Sequence, residues 1–181
     1  MSILKESVKA AAGDENFREN LGNEVSLHVQ KMIMASIFEM GTGGQAFLYH
    51  SGYKLGTQLV DQNICVGNNL EEVLKSIASI ADQFKLGIIS IVEVTGDTAT
   101  VDSHECHFCS GFPNIGEVVC YYESGMIAGI LDRALKSKFT VTETKCYGTG
   151  FKVCEYEIKR TAKRGTDEYV EIIPLTEDSG K

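Results

Sequence analysis

Four residues in the second half of the chain have the types and spacing of a metal site: Cys120, Glu143, Cys146 and Cys154, in the pattern C-x22-E-x2-C-x7-C. Three thiolates and one carboxylate would give a closed, four-coordinate, net-negative site that suits zinc. With no position left for water, the ion's work would be structural. The competing reading is that small buried cysteines are common in cores and need no metal. A second group stands upstream in SHECHFCSGFPN, where His104, Cys106, His107 and Cys109 spell H-x-C-H-x-C. It admits three readings: a second metal site, a C-x-x-C redox pair, or a loop whose thiols merely fall close together. The redox reading lacks the helix start of a thioredoxin-like unit. The spacing favours the third reading, so one zinc per chain is expected and none in this loop.

The elements that must position the first four residues are a helix and a hairpin. Cys120, Ile127, Leu131 and Ala134 fall at i, i+7, i+11 and i+14, so one helical face carries the thiol and an apolar stripe. KFTVTETKC is rich in Thr, Val and Phe, as a strand should be. Tyr147-Gly148-Thr149-Gly150 is a turn, and FKVCEYEIKR returns with Cys154, Tyr156 and Ile158 on one face. Glu143 and Cys146 are three apart, so a regular strand would point them to opposite faces. Both reach one ion only if the strand bends into the turn near Cys146.

At these residues the chain resembles the 4-vinyl reductase domain family, which includes the phenol-sensing domains of aromatic-responsive transcription activators. The resemblance is carried by the Cys-initiated helix CYYESGMIAG, the strand ending E-x2-C, and G-x-G-F-x-x-C, from Cys120 to Ile158. Upstream it is looser, though GGQAFLYHSGYKLG resembles the family's helix with paired glycines. In the phenol sensors, zinc is bound by Cys, Glu, Cys and Cys. The resemblance therefore implies zinc on Cys120, Glu143, Cys146 and Cys154, within a small-molecule-binding α/β domain.

A length of 181 residues fits one domain with terminal extensions, long enough to bury a core without staples. The divisions expected are a lead-in over 1–19, the ligand-binding domain over 20–160, and a tail over 161–181. A net charge of −8 and a pI near 5.0 argue against nucleic acid or a membrane surface as partner. No apolar run has the length of a membrane span, and MSILKESVKAAAGDENF has no signal-peptide core. A cytoplasmic protein is expected, in which six cysteines are ligands, redox thiols or core filler rather than a disulfide framework.

In chain order, a short helix over SILKESVKAAA precedes a longer one starting near Asn23. Val25, Val29, Met32, Ser36 and Met40 share a face of it, widened by Leu27, Ile33 and Ile37. Gly41-Thr42-Gly43-Gly44 breaks that helix. The next begins at Gln45, with Phe47, Gly52, Leu55, Gly56 and Leu59 inward. Gly52 and Gly56 cost helix stability, so a close helix or a pocket wall is needed to explain them. A third helix, capped at Asn68, turns Leu70, Val73, Leu74, Ile77, Ile80 and Ala81 inward. A hairpin through Thr95-Gly96-Asp97 follows. Tyr169 to Ile173 suits an edge strand or a contact with another subunit. Two hairpins with helices on one side argue for an α+β domain on an antiparallel sheet. The family resemblance implies the same layout, similar to vesicle-tethering subunits and haem nitric-oxide sensor domains, and a homodimer.

The expected function is a zinc-stabilised binding or sensor domain for a small hydrophobic or aromatic molecule. Its cavity would be bounded by Phe47, Leu48, Phe108, Phe112, Tyr121, Tyr122 and Met126, with Tyr121, Tyr122 and His107 as polar anchors. The resemblance supplies a rival, a 4-vinyl reductase or accessory subunit acting on tetrapyrroles. That chemistry needs a hydride donor, and no G-x-G-x-x-G follows a strand here. Haem through His28 or His50 has no motif behind it. An interaction scaffold with a vestigial cavity is a third possibility.

Overall fold

A computed structural model describes residues 2–13, 18, 20–21 and 23–163, with side chains to residue 162. The tail beyond 163, including the strand expected at Tyr169 to Ile173, lies outside the described residues. These residues form α1 (Ile3–Ala12), α2 (Leu27–Phe38), α3 (Thr42–Asp61), α4 (Leu70–Gln83), β1 (Ile88–Thr95), β2 (Thr98–His104), α5 (Tyr121–Leu135), β3 (Ser137–Lys145), a 3-10 turn (Tyr147–Thr149) and β4 (Cys154–Lys163). None of the described helices is long and apolar enough to cross a membrane.

The architecture is the expected α+β layout, an antiparallel sheet in the order β1-β2-β4-β3. Both expected hairpins form, and β2 pairs with β4 to join them. The strands alternate. Val101, Tyr156 and Val141 face the helices, while Thr100, Glu157 and Thr142 face outward. Two helices pack against the sheet, α4 beside β1 and α5 beside β3, and α3 crosses α5.

Helix α4 follows its sequence pattern. Leu70, Val73, Leu74, Ile77, Ile80 and Ala81 are the buried set, and the cap is Asn69, one residue later than expected, its side chain accepting from Glu72 N at 2.9 Å. Helix α5 is buried from Glu123 to Asp132. It can lie so deep because Gly125 and Gly129 meet the α3 backbone and Gly52 and Gly56 meet its own. A Cβ on Gly52 would sit 1.9 Å from Tyr122 O, and one on Gly125 2.0 Å from Tyr49 O. Close helix contact, not a pocket wall, accounts for the α3 glycines.

Three expectations needed correction. Helix α2 starts at Leu27, capped by the Ser26 hydroxyl, and buries none of its residues fully. Its half-buried side is Lys31, Met34, Ala35 and Phe38, so Val29, Met32 and Met40 face outward. Helix α3 starts at Thr42, because Gly43 and Gly44 fall in its first turn and the break is Gly41 alone, at φ +72°. Its inward stripe is Gly44, Leu48, Gly52, Gly56 and Leu59, which leaves Phe47 exposed. The polar lead-in supplies α1, whose Val8 and Ala10 are buried against α3 and its neighbours.

Candidate metal centre

Cys120 is the N-cap of α5, placed where the chain turns off the 110–119 loop into the helix. Glu143 lies on the inward face of β3, opposite Tyr156. The pairing then slips between Glu143 and Lys145, a β-bulge that adds one residue to β3. The phase change lets Cys146 point to the same side as Glu143 as it leaves the strand. Thr149 holds that corner, accepting from Cys146 N at 3.0 Å and donating to Cys146 O at 2.9 Å. Cys154 opens β4 beside Ser103 of β2.

The donor atoms of Cys120, Glu143, Cys146 and Cys154 lie within 4.8 Å of one another. Cys120 Sγ stands 3.9 Å from Cys146 Sγ and 3.8 Å from Cys154 Sγ. Tetrahedral zinc with Zn–S bonds of about 2.3 Å would set sulfur atoms about 3.8 Å apart, so these separations fit. Glu143 Oε2 accepts from Cys120 N at 3.0 Å, whereas its buried Oε1 has no hydrogen-bond partner. An orphaned carboxylate oxygen beside three thiols is what a missing cation leaves behind.

The upstream loop does not form a site of its own. His104 is exposed at the end of β2 and belongs to no donor group among the described residues. Cys106 and Cys109 instead turn inward to the first cluster, Cys106 Sγ 3.7 Å from Cys120 Sγ and Cys109 Sγ 3.1 Å from Cys154 Sγ. Five of the six cysteines therefore converge, all buried and all free thiols. His107 Nδ1 lies 3.3 Å from Glu123 Oε1 and 3.2 Å from Leu86 O. Sequence reasoning missed Glu123, whose signal is an acidic residue in the first turn after a cysteine cap.

The electrostatics are those of a site short of positive charge. Burial pushes the Glu143 carboxyl up to about 8 and the Glu123 carboxyl and Cys120 thiol well above their ordinary ranges. Hydrogen bonding with Cys109 holds Cys106 and Cys146 low, while hydrogen bonding with Cys106 pushes Cys109 and Cys154 up. Without an ion the thiols divide into proton donors and acceptors. A divalent cation would take the place of those protons.

The residues expected to line one pocket are distributed over several places. Met126 lines an apolar cavity of about 300 Å³ with Leu4, Val8, Leu55, Ile80 and Phe84. Phe47 and Tyr122 border a shallower groove with His50 and Lys54. Leu48 and Phe108 are core, Phe112 meets Phe108 edge-on at 5.3 Å, and Tyr121 lies beside Phe38.

Residues 100–160 match the 4-vinyl reductase domain. An uncharacterized protein of Methanocaldococcus jannaschii, MJ0150, is 27% identical over 86% of this chain and 88% of its own length. The crystal structure of a vinyl-4-reductase family protein from the same organism superposes with a TM-score of 0.63 at 19% identity, covering 89% of this chain and 96% of that one. The phenol-responsive sensory domain of the transcription activator PoxR, solved with phenol, gives 0.65 at 11% identity over 88% and 91%. The fold extends to subunit 3 of a trafficking protein particle complex from Naegleria fowleri, covalently bound to palmitic acid (0.52; 16% identity; 88% and 96%), and to an H-NOX protein from S. oneidensis (0.57; 12% identity; 86% and 89%).

Proposed function

We propose that this chain, with its 4-vinyl reductase domain, is a zinc-stabilised sensor domain that binds a small hydrophobic or aromatic molecule and performs no catalysis of its own. The observation that carries the reading is the apolar cavity of about 300 Å³ at Met126, which has the volume of a small organic ligand. Phenol in the PoxR domain and palmitic acid in the trafficking subunit support apolar cargo for this fold.

The cavity is coupled to the metal centre by two routes. Helix α5 begins at Cys120 and reaches the cavity at Met126, less than two turns later. Leu86 lines the cavity, and its carbonyl accepts from His107 N at 2.9 Å, next to Cys106. The cluster would fix the start of α5 so that a filled cavity shifts a rigid element rather than a loose one. In this reading Cys120, Glu143, Cys146 and Cys154 hold zinc, and the protein acts in the cytoplasm as a homodimer.

A thermal-shift screen tests the binding role, because a ligand specific for the folded state raises its melting temperature. Single-ring aromatics and short fatty acids should raise it by several degrees. Met126→Trp, which fills the cavity, should abolish the effect with zinc content unchanged. Turnover of a vinyl tetrapyrrole with reduced nicotinamide or flavin would replace this reading with the reductase. A flat screen would favour a scaffold.

A further inference from the structure

Cys106 and Cys109 have no role in a four-ligand site, yet they are as buried as the other three thiols and reach the same cluster. Two sets of four donors occur there: Cys120, Glu143, Cys146 and Cys154, and Cys106, Cys109, Cys120 and Cys154. They share Cys120 and Cys154. Six residues thus give two complete tetrahedral sets provided the two shared thiolates bridge. The shared pair, 3.8 Å apart, has the sulfur–sulfur spacing of a tetrahedral edge around zinc, which is about 3.8 Å.

Charge points the same way. Five thiolates and one carboxylate carry −6. One divalent ion would leave −4 in a buried volume, or leave thiols protonated. Two would leave −2, the charge of a single zinc held by four thiolates.

A third donor set, Cys106, His107 and Glu123, is the weaker place for a second ion. It offers three ligands, not four. His107 Nδ1 also faces two acceptors, Leu86 O and Glu123 Oε1, and so serves as a donor. The His107–Glu123 pair stands behind Cys106 and fixes the loop that presents it.

We propose that the cluster binds two zinc ions, one held by Cys120, Glu143, Cys146 and Cys154 and one by Cys106, Cys109, Cys120 and Cys154, with the Cys120 and Cys154 thiolates bridging. The assignment rests on the metal-holding reading above and adds an ion to it. Elemental analysis of protein purified from zinc-supplemented cells should give two zinc per chain and no acid-labile sulfide. Cys106→Ser combined with Cys109→Ser should lower the count to one while circular dichroism keeps the helical signal. Cobalt titration of the metal-free wild type gives a second readout that needs no variant. Thiolate-to-cobalt absorption should saturate at two equivalents. The electron paramagnetic resonance signal should grow over the first equivalent and fall over the second, as the bridged ions couple. One zinc, with saturation at one equivalent of cobalt, would overturn the two-ion assignment and leave the single-ion site standing. No zinc, and no cobalt uptake, would overturn both. Iron with acid-labile sulfide would likewise overturn the proposal.

Discussion

Glu143 is the residue on which metal binding and acidity meet. In the metal-free protein its carboxyl is pushed up to about 8, against an unfolded value of 4.5. The folded state therefore favours the protonated form. That contribution to stability is present below pH 4.5 and is lost as pH rises through about 8. The full shift corresponds to an upper bound on the order of 5 kcal/mol. Glu143→Gln should make the metal-free protein less sensitive to alkali, seen as a smaller loss of urea midpoint between about pH 5.5 and 8.5. The same variant should bind zinc more weakly at the alkaline end, because the neutral amide is a poorer ligand. In the loaded protein the sign reverses, since protons compete with the ion and acid releases it. Much of this residue-level chemistry was legible beforehand. The three-residue step from Glu143 to Cys146 demanded a bend, and the bulge between Glu143 and Lys145 supplies one. The inward turn of Cys106 and Cys109 was not legible. It depends on β2 pairing with β4, which sets Ser103 opposite Cys154 from far along the chain, and no turn signal announces that pairing.

At the scale of elements, the α3–α5 crossing holds the fold's two halves together. Gly52, Gly56, Gly125 and Gly129 each face the other helix's backbone at a distance that no Cβ can occupy. Gly125→Ala should cost about 3 kcal/mol or more through overpacking, lowering the melting temperature by roughly 6–12 °C. Gly43→Ala is the opposite-sign control. Nothing lies within 4 Å of its added Cβ, so its gain in helix propensity of up to about 1 kcal/mol should raise the melting temperature. The sequence exposed the need for close contact at Gly52 and Gly56 but not the partner. The α5 glycines sit in a segment whose cysteine and tyrosines drew attention to chemistry instead. Helix α4 was read correctly because a single face is apolar, whereas α2 is apolar nearly all round and its hydrophobic pattern could not choose the side.

The whole molecule has an apolar exterior where α2 meets the start of α3. Leu27, Met32, Ile33, Met40 and Phe47 are exposed, Met40 to 74%. A patch of this kind on a chain of net charge −8 suits a two-fold contact with a second copy. Met32→Glu combined with Ile33→Glu should convert a dimer to a monomer in sedimentation velocity, with zinc content unchanged. Sedimentation of the wild type as a monomer would remove the dimer from the proposed function.

The pairing of β2 with β4 also bears on biosynthesis. Cys106, Cys109 and Cys120 emerge from the ribosome well before Cys154, which trails Cys106 by 154 − 106 = 48 residues. At about 5–20 residues per second, the early thiols wait for about 2–10 s without the strand that completes their set. During that interval they are three loose thiols on a nascent chain, open to oxidants and to stray ions. Neither tetrahedral set is complete until Cys154 is made. Metal capture thus becomes one of the last events of maturation, after the sheet has closed.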